Sequence, residues 1–346
     1  SKNNKWVALS GNGVMKFDGQ NWISYNRANN GLNSDNVYLF IDSKDNIWAY
    51  SWDNEGSTAP LAKFDGISWT KYWLNGAPGS NLDSRCVAED SAGNIWVGTD
   101  DGLARYDGLN WTYYNQQNSG LVNDGVWSLT FDNNGVLWIG TWMGLNSFDG
   151  TTWQTYSTSN SALPDNIVYR IISDSNNSKW LLTNSSFITK FDGVNWTNYP
   201  ASLANTNYLG IDLIYDSYYG LIVGTNNGFS IFKNNIWQNY SAYNSDFVGL
   251  AYEFAIDKGK NIWIAAYDGG LITFNPDGIN YTGYYSAPQF KISGKTFYDT
   301  NVNGNLDLGE YGLAYQRIEC STDSSVTFSN TTGNFNTAIG SYALYL

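Results

Sequence analysis

Six oxygen-bearing side chains near the C-terminus have the spacing of a metal-binding loop. In DTNVNGNLDLGE, residues 299–310, they fall at positions 1, 3, 5, 7, 9 and 12 and belong to Asp299, Asn301, Asn303, Asn305, Asp307 and Glu310. Gly304 stands at position 6, where a twelve-residue calcium loop turns sharply. Because carboxylate and amide oxygens at these positions are typical Ca²⁺ ligands, the loop predicts calcium as a cofactor.

The sequence on both sides of this loop predicts strands rather than helices. Apolar and polar residues alternate in FKISGKTFY, residues 290–298, and in LAYQRIEC, residues 313–320. Calcium sensors open through helices that flank the loop, and no helical pattern flanks it here. We therefore expect the ion to rigidify a module rather than to switch it.

The chain contains no histidine, and this excludes several kinds of chemistry. Ser–His–Asp and Cys–His mechanisms, and zinc or iron held by histidine, all need an imidazole. An acid pair could still serve a glycoside hydrolase or lyase, because there are 31 Asp and Glu residues. Many of these acids recur at equivalent repeat positions, where Asp is a turn former, so an enzyme is the least favoured alternative.

Composition predicts a β-rich protein that works outside the cytoplasm. Of the 346 residues, 17% are aromatic and 14% are charged, and the net charge is −13. With no cluster of Lys and Arg, nucleic acid would be repelled rather than bound. No apolar run is long enough to insert these residues into a membrane. The two cysteines, Cys86 and Cys320, fall in different predicted domains and form no disulfide framework.

Internal repeats organise the chain before residue 286. A leading residue recurs about every 42 positions, and its seven copies are Trp6, Trp48, Trp96, Trp138, Trp180, Leu221 and Trp263. Each copy continues into an aromatic–Asp–Gly turn or a looser variant, then a Trp or Tyr strand, then a short apolar run that usually ends in Asp. Asp–Gly between apolar runs is a hairpin signal, so each copy predicts four short strands.

The repeats resemble the two-component regulator propeller repeat. The resemblance rests on NIWVGTDDGLARYDGLNWTYY at 94–114 and on the leads SALPDNIV at 161–168 and NGLNSDNV at 30–37. Over residues 1–285 it implies an all-β, seven-bladed β-propeller of four-stranded blades. No apolar run precedes Trp6, so we expect the first blade to lack its inner strand in this chain, which leaves open how the ring closes.

After a linker at 286–289, residues 290–346 predict a small C-terminal β-sandwich domain. The residues GKTFYD before the calcium loop and GEYGL at its end resemble the B-type domains of serine-aspartate surface adhesins and the collagen-adhesin B-like family. This resemblance implies a calcium-stabilised spacer or anchor. The family's last strand is not matched before Leu346, so we expect the domain to be cut short or to continue in a longer protein.

Residues that depart from the repeat are the candidate ligand-binding residues. They fall on one predicted face of the propeller and are Trp52, Asp53, Asp101, Trp127, Trp142, Tyr169, Tyr252, Tyr267 and Asp268. Aromatic rings beside carboxylates and amides suit sugar rings, although scattered exposed aromatics are an equally good reading of any single residue. Separately, the Asp90–Ser91–Ala92 segment resembles the O-glycosylation acceptor of exported Bacteroidetes proteins and predicts modification of Ser91.

Together these features favour a non-enzymatic secreted or cell-surface binding and adhesion protein. Its propeller face would bind an unidentified glycan or surface protein, and its C-terminal domain would be a calcium-stabilised spacer or anchor. The alternative is the periplasmic sensor region of a hybrid two-component regulator, which the propeller repeat alone would favour. The sequence leaves the oligomeric state undetermined.

Overall fold

Strands dominate the part of the chain that can be described. The computed structural model describes residues 4–9, 11–18, 20–28, 31–32, 34–51, 61–74, 83–204, 212–241, 250–266 and 270–275, and the backbone of three short strands near the C-terminus. Apart from one 3₁₀ turn, Ala201–Ala204, every element in these ranges is a β-strand. The predicted all-β class is confirmed.

Seven radial sheets, numbered as blades 1 to 7 along the chain, form a β-propeller, as predicted. Blade 1 contains β1 (Lys5–Leu9), β2 (Gly13–Phe17) and β3 (Trp22–Tyr25). Blade 2 contains β4 (Tyr38–Ile41), β5 (Ile47–Tyr50), β6 (Leu61–Phe64) and β7 (Trp69–Tyr72). Blade 3 contains β8 (Ser84–Glu89), β9 (Ile95–Thr99), β10 (Gly102–Tyr106) and β11 (Trp111–Tyr114). Blade 4 contains β12 (Val126–Phe131), β13 (Leu137–Thr141), β14 (Gly144–Phe148) and β15 (Trp153–Tyr156).

The remaining blades continue the same antiparallel meander. Blade 5 contains β16 (Val168–Ser173), β17 (Lys179–Thr183), β18 (Phe187–Phe191) and β19 (Trp196–Pro200). Blade 6 contains β20 (Leu213–Asp216), β21 (Gly220–Thr225), β22 (Gly228–Lys233) and β23 (Ile236–Tyr240). Blade 7 contains β24 (Ala251–Ile256), β25 (Ile262–Ala266) and β26 (Gly270–Phe274), and its predicted fourth strand lies outside the described residues. The inner strands of successive blades pack side by side around a central channel.

Blade 1 supplies three strands of its own, which confirms that its segment lacks an inner strand. Three C-terminal strands follow the propeller: β27 (Ile318–Cys320), β28 (Val326–Phe328) and β29 (Ala343–Tyr345). The innermost position of the blade 1 sheet is held by β29, which pairs antiparallel with β1 and places Tyr345 opposite Trp6. Strand β29 also lies beside β24 and β4, the inner strands of blades 7 and 2. The predicted linker at 286–289 and the loop at 299–310 lie outside the described residues.

The repeated residues hold the blades together. In blade 4, the Trp138 ring stacks on Tyr156 with centroids 5.7 Å apart, and it meets Phe191 of blade 5 edge-on at 5.9 Å. The indole Nε1–H of Trp138 donates to Asp132 at 2.9 Å. The same Asp–Trp bond occurs in four further copies, from Trp48 to Asp42, Trp96 to Asp90, Trp180 to Asp174 and Trp263 to Asp257. Asp132 also accepts the backbone N–H groups of Asn134 and Val136 in its turn, which confirms the interpretation of these acids as turn formers.

Within the described part of the chain, no helix is long and apolar enough to cross a membrane.

Candidate ligand-binding site

Two faces of the propeller can be told apart by their loops. The face that carries the outer-to-inner connections and the turns between second and third strands is called the upper face, and the opposite one the lower face. Each inner strand therefore begins at the upper face. The upper end of the central channel is called the channel mouth.

Four inner strands begin with a β-bulge at the channel mouth. The ladders shift register between Ser84 and Cys86, Val126 and Ser128, Val168 and Arg170, and Ala251 and Glu253. The four bulged residues are Arg85, Trp127, Tyr169 and Tyr252. A bulge leaves one residue unpaired in the ladder and re-aims its side chain, a device that recurs beside functional sites. Three of these four residues were predicted from the sequence as ligand-binding candidates.

Three of the predicted aromatic residues form one cluster across blades 4 and 5. The ring of Trp127 meets Trp142 at 4.8 Å and Tyr169 at 5.9 Å, both edge-on, and Trp142 lies 6.4 Å from Tyr169. We call these three residues the aromatic cluster. Trp142 is 41% exposed, although it is a large apolar side chain. The structure therefore brings together residues that lie up to 42 positions apart in the sequence.

Gly125 leaves the space that the Trp142 ring occupies. A Cβ atom added to Gly125 would stand 2.2 Å from Cδ1 of Trp142, so the indole lies directly against the backbone there. Any side chain at position 125 would have to displace the ring. Gly125 immediately precedes β12, and it is a site residue that the sequence analysis missed.

Arg85 is a second residue that the sequence analysis missed. Its guanidinium lies over the Trp127 ring, 4.6 Å from the centroid, and donates to Asp100 through Nε at 2.9 Å and Nη2 at 2.8 Å. This two-pronged ion pair fixes the guanidinium and neutralises Asp100. Aligning the inner strands would have shown that Arg85 occupies the same repeat position as Trp127 and Tyr169.

The predicted acid Asp101 lies beside this ion pair on the turn that ends β9. Loss of solvent contact, followed by repulsion from Asp100 and Asp124, raises the pKa of its carboxyl. Its backbone N–H donates to Thr99 Oγ1 at 3.1 Å. The upper rim near blade 3 is therefore acidic, and the Arg85 guanidinium is already committed to Asp100.

Trp127 carries a buried donor without a partner. Its Nε1–H makes no hydrogen bond with any described residue. The indole N–H groups of Trp69 and Trp237, in outer strands, also lack a partner among the described residues. The unpartnered donor of Trp127 therefore does not identify a binding site by itself, and the site is identified by the aromatic contacts. Tyr169 donates from its hydroxyl to Asn184 Oδ1 at 3.4 Å, which orients its ring.

Below the bulges, three charged residues from successive blades meet in the channel. Arg170 of β16 donates from Nε to Asp212 Oδ1 at 3.0 Å and from Nη2 to Glu253 Oε1 at 3.4 Å. Asp212 directly precedes β20, and Glu253 belongs to β24. We call these three residues the channel triad. Burial raises the pKa of the neighbouring Cys86 thiol to about 12, so that cysteine stays a neutral core residue.

The other predicted sites have different outcomes. Trp52, Asp53, Tyr267 and Asp268 lie outside the described residues, as do the six predicted calcium ligands. Tyr252 stands at the bulge of blade 7, across the channel mouth from the aromatic cluster. Ser91 is exposed on a turn, while Asp90 beside it accepts hydrogen bonds from Asn94 and Trp96.

A cavity of about 530 Å³ lies on the lower face between blades 4 and 5. It is lined by turn residues such as Asp132, Asp149 and Asn176, together with Lys179. The Lys179 ammonium is buried and pairs with Asp132 at 2.7 Å and with the Asn177 carbonyl at 2.7 Å. Because the charges at its base are paired with each other, we assign this cavity to the packing of the repeat.

Known proteins resemble the chain at the level of the repeat and the fold. The family model described as the two component regulator propeller matches residues 78–101 and 120–143. These ranges include β8, β9, β12 and β13, and they contain Arg85, Trp127 and Trp142. No curated protein sequence matches the chain.

Two of the solved structures that the chain resembles show the same architecture at low identity. The surface component PorZ of the Porphyromonas gingivalis type-IX secretion system has a TM-score of 0.57 at 18% identity, over 80% of this chain and 45% of PorZ. Virginiamycin B lyase from Staphylococcus aureus has a TM-score of 0.57 at 12% identity, over 74% of this chain and 85% of the lyase. A third, weaker match is the extracellular domain of a putative hybrid two component system from B. thetaiotaomicron, with a TM-score of 0.49 at 19% identity over 80% of this chain and 50% of that domain.

The fold and the repeat together define a seven-bladed β-propeller with matches to the two component regulator propeller model. The chain spans half the length of the B. thetaiotaomicron domain and less than half of PorZ.

Proposed function

We propose that this propeller is a non-enzymatic binding module whose channel mouth takes a glycan outside the cytoplasm. The observation that carries the proposal is the aromatic cluster, because its three residues break the repeat, meet at bulged strand ends and include the half-exposed Trp142. Sugar C–H faces stack on aromatic rings, while their hydroxyl groups hydrogen-bond with carboxylates and amides such as those of Asp101 and Asn184.

Catalysis is the weaker candidate, because most acids of the described channel region are already held in ion pairs. Asp100 is held by Arg85, and Asp212 and Glu253 share Arg170. The lyase of similar fold was solved as a catalytically inactive variant in which a histidine is replaced by alanine. The present chain has no histidine with which to perform such chemistry.

Two settings suit such a module. The match to the two component regulator propeller model supports the periplasmic sensor region of a signalling protein. The calcium loop at 299–310 supports instead a secreted or surface protein, in which Ca²⁺ bound by residues such as Asp299 and Glu310 stiffens a spacer or anchor. Both settings place the propeller outside the cytoplasm, and the low charged content agrees with this.

A glycan array tests the proposal at Trp142. We expect the wild-type protein to bind a defined set of glycans and Trp142→Ala to lose about fivefold in affinity, since losing a stacked ring costs about 1 kcal/mol. Trp22→Ala is the matched control, because Trp22 is 50% exposed but lies at the lower end of its blade. Equal binding by Trp142→Ala and the wild type, or no glycan binding by either, would refute the proposal.

A further inference from the structure

The channel triad is unbalanced in charge. One guanidinium, that of Arg170, serves two carboxylates, those of Asp212 and Glu253. The two acid side chains are 10% and 13% exposed, so water solvates them poorly. A desolvated carboxylate without full compensation is costly, and it is stabilised by a proton or by another cation.

The two acids are not equally satisfied. Asp212 receives Arg170 Nε at 3.0 Å, and the backbone N–H groups of Leu213 and Phe254 hydrogen-bond to it as well. Glu253, in contrast, accepts a single hydrogen bond from the described residues, the one from Arg170 Nη2 at 3.4 Å. Charge compensation is therefore incomplete at Glu253.

Protonation relieves the imbalance when nothing else is bound. Burial, together with the charge of Asp212, raises the pKa of Glu253 to about 8, against the pull of Arg170 in the opposite direction. Near neutral pH the carboxyl therefore holds a proton. A ligand cation that reached Glu253 would take the place of that proton.

The triad lies within reach of the aromatic cluster. Arg170 and Glu253 directly follow the bulged residues Tyr169 and Tyr252 on β16 and β24. Since a strand advances about 3.3 Å per residue, the charges lie one step below the aromatic side chains in the channel. The Arg170 side chain is 32% exposed, so solvent reaches one member of the triad.

We infer that Glu253 recognises a primary ammonium group, so that the glycan bound at the channel mouth is an amino sugar oligomer with free amino groups. This inference rests on the proposed function. The aromatic cluster stacks the sugar rings and also favours a nearby cation through its π faces. A uronic acid or a sulfated sugar is disfavoured, because the rim and the triad carry more carboxylates than cations.

Calorimetric titration with two matched probes tests this inference. The probes are a fully deacetylated glucosamine tetramer and its N-acetylated counterpart, titrated at about pH 6, where both the amine and Glu253 hold protons. We expect the deacetylated tetramer to bind the wild type about tenfold more tightly than the acetylated one. We also expect about one proton to be released, seen as an enthalpy that varies with the ionisation enthalpy of the buffer.

Glu253→Gln should remove the preference for the deacetylated tetramer and the proton release, while binding of the acetylated tetramer persists and shows that the variant is folded. Asp45→Asn is the charge-matched control, since Asp45 is exposed on a lower-face turn. A wild type that prefers the acetylated tetramer would overturn the inference and leave the proposed function standing. If Trp142→Ala bound neither tetramer while the wild type bound them, the proposed function would be upheld. If the wild type itself bound neither tetramer, both the proposed function and the inference would be overturned.

Titration with tetralysine distinguishes an amino sugar from a cationic peptide as the source of the ammonium group. We expect at least tenfold weaker binding of tetralysine than of the glucosamine tetramer, because the peptide lacks sugar rings to stack on Trp142. Tighter binding of tetralysine would overturn the assignment to an amino sugar and point to a cationic peptide.

Discussion

The upper and lower faces of this propeller are built from the same repeat but differ in how their polar groups are used. On the lower face the repeated acids are satisfied locally; Asp90, for example, accepts bonds from Ala92, Asn94 and Trp96. At the channel mouth Trp142 is held half-exposed, and one step below it Glu253 has one long hydrogen bond. In this repeat protein the structural residues recur together with their partners, whereas the candidate binding residues are those that depart from the repeat.

The largest expected effect lies on the lower face, where Asp132 and Lys179 form a buried ion pair. Asp132→Asn should lower the free energy of unfolding by about 3–5 kcal/mol, because it leaves the Lys179 ammonium buried with the Asn177 carbonyl as its remaining acceptor. Denaturant titration measures this. Asp174 stands at the same repeat position but pairs with no described lysine. Asp174→Asn should therefore lower the free energy of unfolding by less, about 1–3 kcal/mol.

The double variant Asp132→Asn with Lys179→Ile should recover most of that loss, because Ile occupies this position in blades 2, 3 and 7, at Ile47, Ile95 and Ile262. If the double variant were no more stable than Asp132→Asn alone, the lysine would not be the cause of the cost.

A pH-dependent effect is expected next, in the channel triad. The pKa of Glu253 is raised from its ordinary 4.5 to about 8, so its contribution to stability is present in full below pH 4.5. That contribution is lost progressively as the pH rises from 4.5 through 8, and the loss between pH 5 and 9 should reach about 4 kcal/mol. Glu253→Gln should flatten this part of the pH–stability curve, which thermal melts between pH 5 and 9 would record. An unchanged slope in the variant would show that another group titrates there.

A smaller effect is expected at Gly125, and it should fall on binding as well as on stability. Gly125→Ala places a methyl group against Trp142 and should cost about 1–3 kcal/mol while moving the indole from its seat. Glycan affinity and tryptophan fluorescence would both report the displacement. Gly259→Ala is the control, because its nearest neighbours, at 3.2 Å, are atoms of the Asn261 and Asp257 side chains on the lower face. Unchanged glycan affinity in Gly125→Ala would contradict the role of Trp142.

The contrast between the two faces also explains what the sequence could predict. Repeat periodicity sets the strands, because each copy must present the same apolar pattern to its neighbours, and so the seven blades and the turn acids were predicted correctly. Trp127, Trp142 and Tyr169 were found because they break the pattern. Arg85 stands at the same repeat position as Trp127 and Tyr169, but it is not aromatic, and its contact with the Trp127 ring joins blades 3 and 4. Gly125 was missed because its role depends on the close approach of the Trp142 ring within blade 4, which no local pattern encodes.

The smallest expected effect concerns Arg85, which connects the acidic rim to the aromatic cluster. Arg85→Lys keeps the charge but loses the planar contact with Trp127 and the two-pronged bond to Asp100, so glycan affinity should fall about threefold, or about 0.6 kcal/mol. Arg105→Lys is the control, because its guanidinium lies 5.6 Å from the Trp96 centroid in blade 3 and makes no contact with the cluster. If both variants lost affinity equally, the loss would come from replacing any arginine by lysine and not from the contact between Arg85 and Trp127. If neither did, Trp127 would keep its position without the guanidinium, and binding at the channel mouth would depend on the aromatic rings alone.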